Sequence, residues 1–270
     1  MASTDSNDGR NGNGAIGVFD SGVGGLTVFR EIARALPREP LVYLGDSARV
    51  PYGTKSPATV VRYSLEAAAH LMGRNVKMLV VACNTATAAA LPVLRERLPI
   101  PVIGVVEPGA RAAVARTSGV VGVIATEGTV RSKAYTNAIR ALDPDIEVIE
   151  SAAPLFVPLA EEGWANTHVA REVAEIYLEP LIDAGIDTLV LGCTHYPILR
   201  GTIEQVVGES VQIVDSAETT AQVVREALGP SVGVERPLHH FLVTDAEERF
   251  RRIAGEFLER DIEHLELVAL

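Results

Sequence analysis

The chain has 270 residues, of which 47% are hydrophobic and 22% charged, a composition typical of a globular protein. Asp and Glu outnumber Lys and Arg by 35 to 24, and the resulting net charge of −11 argues against nucleic acid as a partner, because phosphate binding needs clustered cations. No apolar run reaches the roughly 18 residues of a membrane span, and no signal-peptide pattern precedes the fold, so we expect a soluble cytoplasmic protein without a membrane partner.

Residues 1–14 contain Gly and Asn but no large apolar residue after Met1, which predicts a flexible tail. Short apolar segments then alternate with segments of helical periodicity. The first half is predicted to have strands at 15–19, 41–44, 78–82 and 102–106, and helices at 26–36, 58–73 and 85–98. Apolar strands separated by helices are typical of an α/β fold, in which mostly parallel sheets are covered by helices on both faces.

The same order of strands recurs about 105 to 110 residues further on, which indicates a duplicated half. The segments 120–124, 146–149, 186–193 and 211–215 match 16–19, 41–44, 76–83 and 102–106. The repeat predicts two pseudo-symmetric α/β domains, and if these face each other, the active site is expected in the cleft between them. We expect residues 15–107 together with 218–270 to form the first domain, and residues 108–217 to form the second.

The C-terminal segment has no counterpart between the two halves and is therefore expected to pack back on the first domain. It is predicted to contain a strand at 240–243 and an edge strand at 264–268. Between them, Thr244 and Glu247 have the spacing of a capping box, which predicts a helix that begins there and runs to about Glu259.

The chain has only two cysteines, Cys83 and Cys193, too few for a disulfide scaffold. Neither lies in a CxxC pair, and the His239-His240 pair has no nearby third ligand, so no metal site is predicted. Each cysteine follows an apolar strand and precedes a helical segment, the place where parallel sheets bind ligands and where a helix N-terminus stabilises a thiolate. On count alone, two inert buried thiols are the alternative.

Two thiols that approach one carbon from opposite sides could remove a proton on one face and return a proton on the other. The neighbouring strand ends carry short polar residues that could hold a carboxylate without a cation. They are Asp20, Ser21, Tyr52, Gly53, Asn84 and Thr85 in the first half, and Thr126, Thr129, Thr194 and His195 in the second. The Gly-rich turn 21–25 lacks the spacing of a nucleotide-binding loop.

Seven ordered motifs carry a resemblance to a known family. They are FDSGVGGLTV (19–28), YLGDSARVPYG (43–53), ACNTATA (82–88), EPG (107–109), ATEGTV (125–130), PLFVPLAEEG (154–163) and LGCTHYP (191–197). The chain resembles the glutamate racemases of the aspartate/glutamate racemase family. This resemblance implies two facing α/β domains with glutamate between them, no cofactor, a supply of D-glutamate for peptidoglycan and, in many members, a homodimer.

The resemblance also implies roles for single residues. Cys83 and Cys193 are expected to be the two acid/base groups. Asp20 is expected to assist the first cysteine and His195 the second. A carboxylate of the EEG stretch is expected to assist catalysis as well, with Glu162 favoured over Glu161. The expected substrate contacts are Asp20, Ser21, Tyr52, Gly53, Asn84, Thr85, Thr126, Thr129, Thr194 and His195. Ala153 stands where family members often have a further cysteine.

Several alternatives remain open from the residues themselves. Asp20 could cap a helix, Tyr52 could only wall the pocket, Glu162 could be a solvated charge, His195 could be an interior histidine, and Asp46 with Arg49 could be a surface pair. At the level of function, an aspartate racemase, a non-catalytic ligand-binding module and a thiol redox protein are the competing hypotheses.

Overall fold

The structure is a computed structural model that describes residues 14–229 and 234–270, so the predicted tail lies, except for Gly14, outside the described residues. Within these ranges the strands are β1 (Ala15–Asp20), β2 (Leu41–Gly45), β3 (Val76–Val81), β4 (Val102–Gly104), β5 (Val120–Ala125), β6 (Glu147–Ala152), β7 (Thr188–Gly192), β8 (Gln212–Asp215), β9 (His240–Val243) and β10 (Leu265–Leu267). The central strands are rich in β-branched and aliphatic residues and are buried on both faces, as parallel strands between helices must be.

The same ranges contain eleven α-helices. They are α1 (Leu26–Ala35), α2 (Pro57–Met72), α3 (Asn84–Arg97), α4 (Val106–Val114), α5 (Glu127–Ser132), α6 (Ala134–Leu142), α7 (Phe156–Glu161), α8 (His168–Asp183), α9 (Arg200–Val207), α10 (Ser216–Leu228) and α11 (Glu247–Leu258). Short 3₁₀ helices lie at Ser47–Arg49, Tyr52–Thr54 and Tyr196–Leu199. No helix of the described ranges combines the length and the apolar character that crossing a membrane requires.

The strands form two parallel sheets. The six-stranded sheet has the order β10-β9-β2-β1-β3-β4 and, with its helices, is here called the first lobe. The four-stranded sheet has the order β6-β5-β7-β8 and defines the second lobe. The order β2-β1-β3-β4 is thus repeated as β6-β5-β7-β8, which confirms two pseudo-symmetric halves of an α/β fold.

The C-terminal strands return to the first lobe, as expected. β9 pairs with β2, and β10 forms the outer edge beside β9. Helix α10 packs against both α1 and α4, so the chain crosses back between the lobes along this helix. The predicted domain boundaries after residues 107 and 217 stay predictions.

One hydrophobic cluster joins the two lobes. It contains buried side chains from the first sheet, such as Val18 and Val80, together with Leu189 and Leu191 of the second sheet. Side chains that touch within one cluster exclude water from the lobe interface. The lobes therefore share part of their core, which fixes how their strand ends face each other.

Two local predictions are wrong. The strand predicted at 102–106 ends at Gly104, because Val106 already begins α4. The capping box is absent: the Thr244 hydroxyl donates to Asp46 Oδ1 at 3.0 Å and accepts the Ala48 N–H at 2.9 Å. A buried carboxylate attracts the hydroxyl more strongly than an exposed helix end does, so α11 begins at Glu247 without a side-chain cap.

Candidate active site

The carboxyl ends of strands from both lobes meet at a cavity of about 60 Å³. Most of the residues expected at a site lie in its wall. They are Ser21, Tyr52, Gly53, Cys83, Asn84 and Thr85 from the first lobe, and Thr126, Cys193, Thr194 and His195 from the second. The repeat places β1, β3, β5 and β7 at the centres of the two sheets, and the ends of central strands are where parallel α/β folds bind ligands.

Cys83 lies between the end of β3 and the start of α3. Its thiol is buried and accepts the N–H of Ala86 at 3.4 Å, so the sulfur caps the helix. Burial, together with the nearby charge of Asp20, raises the pKa of Cys83 to about 12, while the Ala86 N–H opposes the change. The cysteine therefore holds its proton at neutral pH.

Asp20 ends β1 one layer behind the cavity wall and is fully buried. Its Oδ1 accepts the N–H groups of Gly25 at 2.8 Å and Gly22 at 3.3 Å, so it does hold the turn before α1. Its Oδ2 has no partner within residues 14–229 and 234–270. Burial raises the pKa of Asp20, although the attraction of His195 and the turn N–H groups lower it. Asp20 can therefore hold the turn before α1 through Oδ1, while Oδ2 remains available for another contact.

Cys193 follows β7 and begins a chain of polar contacts. Its Sγ lies 3.8 Å from Nδ1 of His195, whose Nε2 lies 3.1 Å from Oε1 of Glu161. Burial lowers the pKa of His195, but the contacts with Cys193 and Glu161 outweigh burial and raise it to about 10. The imidazole is therefore charged at neutral pH, and this positive charge lies beside the sulfur of Cys193.

Glu161, rather than the favoured Glu162, is the carboxylate that contacts His195 and lines the cavity. Glu161 lines the cavity beside Val157, one helical turn earlier in α7, whereas Glu162 is exposed and contacts Arg249 at 3.4 Å. Residues four apart share one face of a helix, and the next residue points about 100° away. The structure therefore places Glu162 outside the cavity wall, where its alternative as a solvated charge fits, and its assisting role stays a prediction.

Three threonine hydroxyls join the lobes at the cavity. Thr85 Oγ1 lies 2.8 Å from Thr126 Oγ1 and 3.2 Å from Thr129 Oγ1, and the last two are 3.1 Å apart. Thr126 also accepts the Thr129 N–H as the cap of α5. Thr129 is fully buried and stands behind the wall, so it reaches the cavity only through its two neighbours.

Asp46 is part of the supporting structure and not of a surface pair. It is fully buried after β2 and accepts hydrogen bonds from the Tyr52 hydroxyl, from Arg49 at 2.7 Å and from Thr244 at 3.0 Å. Tyr52 therefore forms part of the cavity wall, while its hydroxyl donates a hydrogen bond to Asp46. Sequence reasoning left Asp46 open, although its position at a strand end matched that of Asp20.

Two further residues that contact the site were not singled out from the sequence. Arg249 of α11 contacts Glu161 Oε2 at 2.9 Å, 88 positions away along the chain. The hydroxyl of Thr27 in α1 donates to the carbonyl oxygen of Thr194 at 2.9 Å and so ties the first lobe to the second. Sequence periodicity can place both residues on helices, but it does not predict which other helix or loop their side chains contact.

The fold and the site define a class of protein: a two-lobed α/β protein in which each lobe contributes one free, buried cysteine to a shared cavity. Around these thiols lie hydroxyls, an amide and helix N-termini, which bind carboxylates. Within the described ranges, no group of three or more His, Cys, Asp or Glu side chains has the arrangement of a metal site.

Comparison with known proteins names the family. Residues 16–224 match the family model described as Asp/Glu/hydantoin racemase. The curated glutamate racemase of Geobacter metallireducens is 57% identical over 249 residues, which cover 90% of this chain and 92% of that protein. The crystal structure of glutamate racemase isoform RacE1 from Bacillus anthracis has a TM-score of 0.91 at 42% identity and covers 95% of this chain and 98% of that one.

A further solved structure carries a ligand. Glutamate racemase from Francisella tularensis, in complex with D-glutamate, has a TM-score of 0.89 at 38% identity and covers 96% of this chain and 98% of that one. The chain belongs to the Asp/Glu/hydantoin racemase family and is an amino-acid racemase, an isomerase. The resemblance indicated by the seven motifs is confirmed.

Proposed function

We propose that this racemase interconverts L- and D-glutamate by proton transfer at Cα, with Cys83 and Cys193 as the two acid/base groups. The observation that carries the proposal is the pair of buried thiols, one from each lobe, in the wall of one cavity. The names of the similar proteins support glutamate as the substrate, and D-glutamate is bound in the solved Francisella tularensis structure.

The two thiols differ in a way that suits the reaction. A two-base reaction begins with one thiolate and one thiol. Because the charged His195 lies beside its sulfur, we assign the base for L-glutamate to Cys193, whereas burial keeps the proton on Cys83. In this state Cys193 takes the α-proton of L-glutamate, and Cys83 gives its proton to the opposite face of the carbanion. Cys193 then carries the proton and Cys83 the charge, which is the starting state for D-glutamate.

The carbanion places negative charge on the α-carboxylate, so donors aimed at that group lower the barrier. Asn84, Thr85 and Thr194 stand at the helix starts and turns that follow the central strands, and all three line the cavity. We propose that these side chains and the helix N–H groups bind the carboxylates of glutamate. This chemistry needs no cofactor as electron acceptor, provided that the donors are fixed and water is excluded.

The wider setting of the proposal comes from the family resemblance. We propose that the enzyme acts in the cytoplasm, that it supplies D-glutamate for peptidoglycan, and that it works as a homodimer. Aspartate is the competing substrate, because the same site chemistry would accept a shorter side chain. The number of methylene groups between the two carboxylates is the feature on which the two substrates differ.

The decisive test follows the α-proton in D₂O. The purified protein is incubated with L-glutamate or L-aspartate without added cofactor, and NMR measures deuterium at Cα while circular dichroism measures handedness. We expect exchange of the α-proton for deuterium and loss of optical activity with glutamate, and little change with aspartate.

Cys83→Ser and Cys193→Ser should each lower racemisation by at least about a hundredfold, since each removes one acid/base group. Full activity in either variant would refute the two-thiol mechanism, and activity only with aspartate would refute the substrate.

A further inference from the structure

Tyr135 is a buried residue that the mechanism above does not use. It lies on α6 of the second lobe and outside the cavity wall. Its hydroxyl donates to Oδ1 of Asn84, the first residue of α3 in the first lobe, at 2.7 Å. Tyr135 of the second lobe thus contacts the Asn84 amide, which is a hydrogen-bond donor in the first lobe.

The Asn84 amide has two ends with opposite chemistry. Its oxygen accepts the Tyr135 hydroxyl, while its Nδ2 is buried and has no partner within residues 14–229 and 234–270. Asn84 is only 3% exposed and lines the cavity. Buried amide N–H groups normally have partners, so an unpartnered one in a cavity wall indicates a ligand that accepts hydrogen bonds.

The ring of Tyr135 is held on two sides by glycines. A Cβ at Gly109 would lie 3.3 Å from the ring, and one at Gly192 would lie 3.0 Å from it. Gly192 precedes Cys193, and the hydrogen-bond partner Asn84 follows Cys83. Tyr135 therefore stands between the two cysteine segments. Burial holds its pKa above the ordinary value, so the hydroxyl keeps the proton that it donates.

We infer that Tyr135 is a positioning residue: it holds the amide oxygen of Asn84 so that the amide nitrogen faces the cavity and binds a carboxylate of the substrate. This inference rests on the proposed function and deepens it. Because donor and acceptor belong to different lobes, the amide is oriented only while the lobes stand as they do here. Substrate binding and the arrangement of the lobes are thereby coupled through one hydrogen bond.

The first test removes only the hydroxyl. Tyr135→Phe leaves Asn84 free to rotate, and we expect kcat/KM for glutamate to fall about tenfold, mostly through a higher KM. Tyr177→Phe is the matched control, since the Tyr177 hydroxyl accepts the Leu155 N–H at 3.3 Å on another face of the second lobe. It should keep the wild-type KM. A KM for Tyr135→Phe within twofold of the wild type would overturn the inference.

A double-mutant cycle separates positioning from general support of the fold. If Tyr135 acts through Asn84, then Tyr135→Phe combined with Asn84→Ala should be no more impaired than Asn84→Ala alone. Effects that multiply would mean that Tyr135 acts independently of the amide, and the inference would be wrong. Thermal unfolding of all four proteins identifies any loss that comes from instability.

A crystal structure of the wild-type protein with glutamate supplies a measurement that needs no variant. We expect Nδ2 of Asn84 within hydrogen-bond distance of a ligand carboxylate and Oδ1 still on Tyr135. An amide turned away from the ligand would overturn the inference. A wild-type protein that neither binds nor racemises glutamate would instead refute the proposed function, so the two failures are distinguishable.

Discussion

His195 is buried, yet its surroundings favour the charged imidazolium. The thiol of Cys193 lies on one side of the ring and the carboxylate of Glu161 on the other. Burial acts against the charge, but the two contacts outweigh it and place the pKa of His195 at about 10. The contact with the imidazolium also lowers the pKa of Glu161 despite its burial, and the charge of Arg249 acts in the same direction. The histidine thus supplies a positive charge where the proposed mechanism needs a thiolate.

Glu161→Gln should weaken this charge without removing the side chain. The pKa of His195 is raised, so the imidazolium is present below about pH 10 and is lost as the pH rises through that value. Without the carboxylate the pKa falls, and the alkaline limit of activity should move to lower pH. At pH 8 we expect kcat for L-glutamate to drop about tenfold or more.

Glu162→Gln is the matched control, since it makes the same change one residue later on an exposed carboxylate. Its pH profile should follow that of the wild-type enzyme. Equal losses in both variants would show that net charge, rather than the contact with His195, controls the rate.

Single residues also mark how far the sequence could predict the site. Cys83, Cys193 and His195 were identified because they lie in motifs at strand ends. Glu161 and Glu162 are adjacent, and only the phase of α7 decides which one faces the cavity; Val157 four residues before Glu161 was the available signal. Arg249 could not be found, because only the tertiary fold brings it to Glu161.

At the scale of elements, α11 closes the site from the side of the first lobe. The Phe257 ring stands edge-on to His195 with centroids 5.4 Å apart, and Arg249 contacts Glu161 at 2.9 Å. The sequence predicted this helix from the capping-box spacing of Thr244 and Glu247, and its return to the first lobe from the absence of a counterpart. Its start was mispredicted because Thr244 bonds the buried Asp46, a tertiary contact that local spacing does not contain.

Arg249→Gln should therefore have a small, salt-dependent effect. The guanidinium is half-exposed, and such ion pairs contribute about 0.2 to 1 kcal/mol, so kcat/KM should fall by a factor of about 1.4 to 5. Salt screens exposed charges, and the difference from the wild-type enzyme should shrink in 1 M NaCl, where the Debye length is about 3 Å.

Arg252→Gln on the same helix provides the comparison for this change, since Arg252 is exposed and has no ion-pair partner among the described residues. Its kcat/KM should equal that of the wild type at every salt concentration. A loss at Arg249 that persists at high salt would mean that the side chain acts through packing and not through its charge.

At the scale of the whole molecule, the repeat explains why two thiols face one cavity. The order β2-β1-β3-β4 recurs as β6-β5-β7-β8, so equivalent strands carry Cys83 and Cys193 to the same cleft. The equivalent positions of the two cysteines could be predicted from the sequence, because the strand order and the motif positions repeat. The distance between the lobes could not, because side-chain contacts across the cleft set it. The cavity that these contacts leave between the lobes has a volume of about 60 Å³, which is room for about four waters.

Gly24, in the turn before α1, lies against Thr194 and His195 of the second lobe. A Cβ there would lie 2.4 Å from His195 Nδ1 and 2.4 Å from Thr194 Oγ1, so Gly24→Ala must push the second lobe away from the turn before α1. We expect kcat/KM to fall by at least about a hundredfold, because a shift of about 1 Å in reacting groups has this effect.

Gly201→Ala on α9 is the control variant, since a Cβ there meets nothing within 4 Å. It should retain full activity, and its Tm should not decrease because Ala favours helix over Gly. If Gly24→Ala instead keeps wild-type activity, the lobes tolerate separation at this point, and the close fit would not be what holds the catalytic groups together.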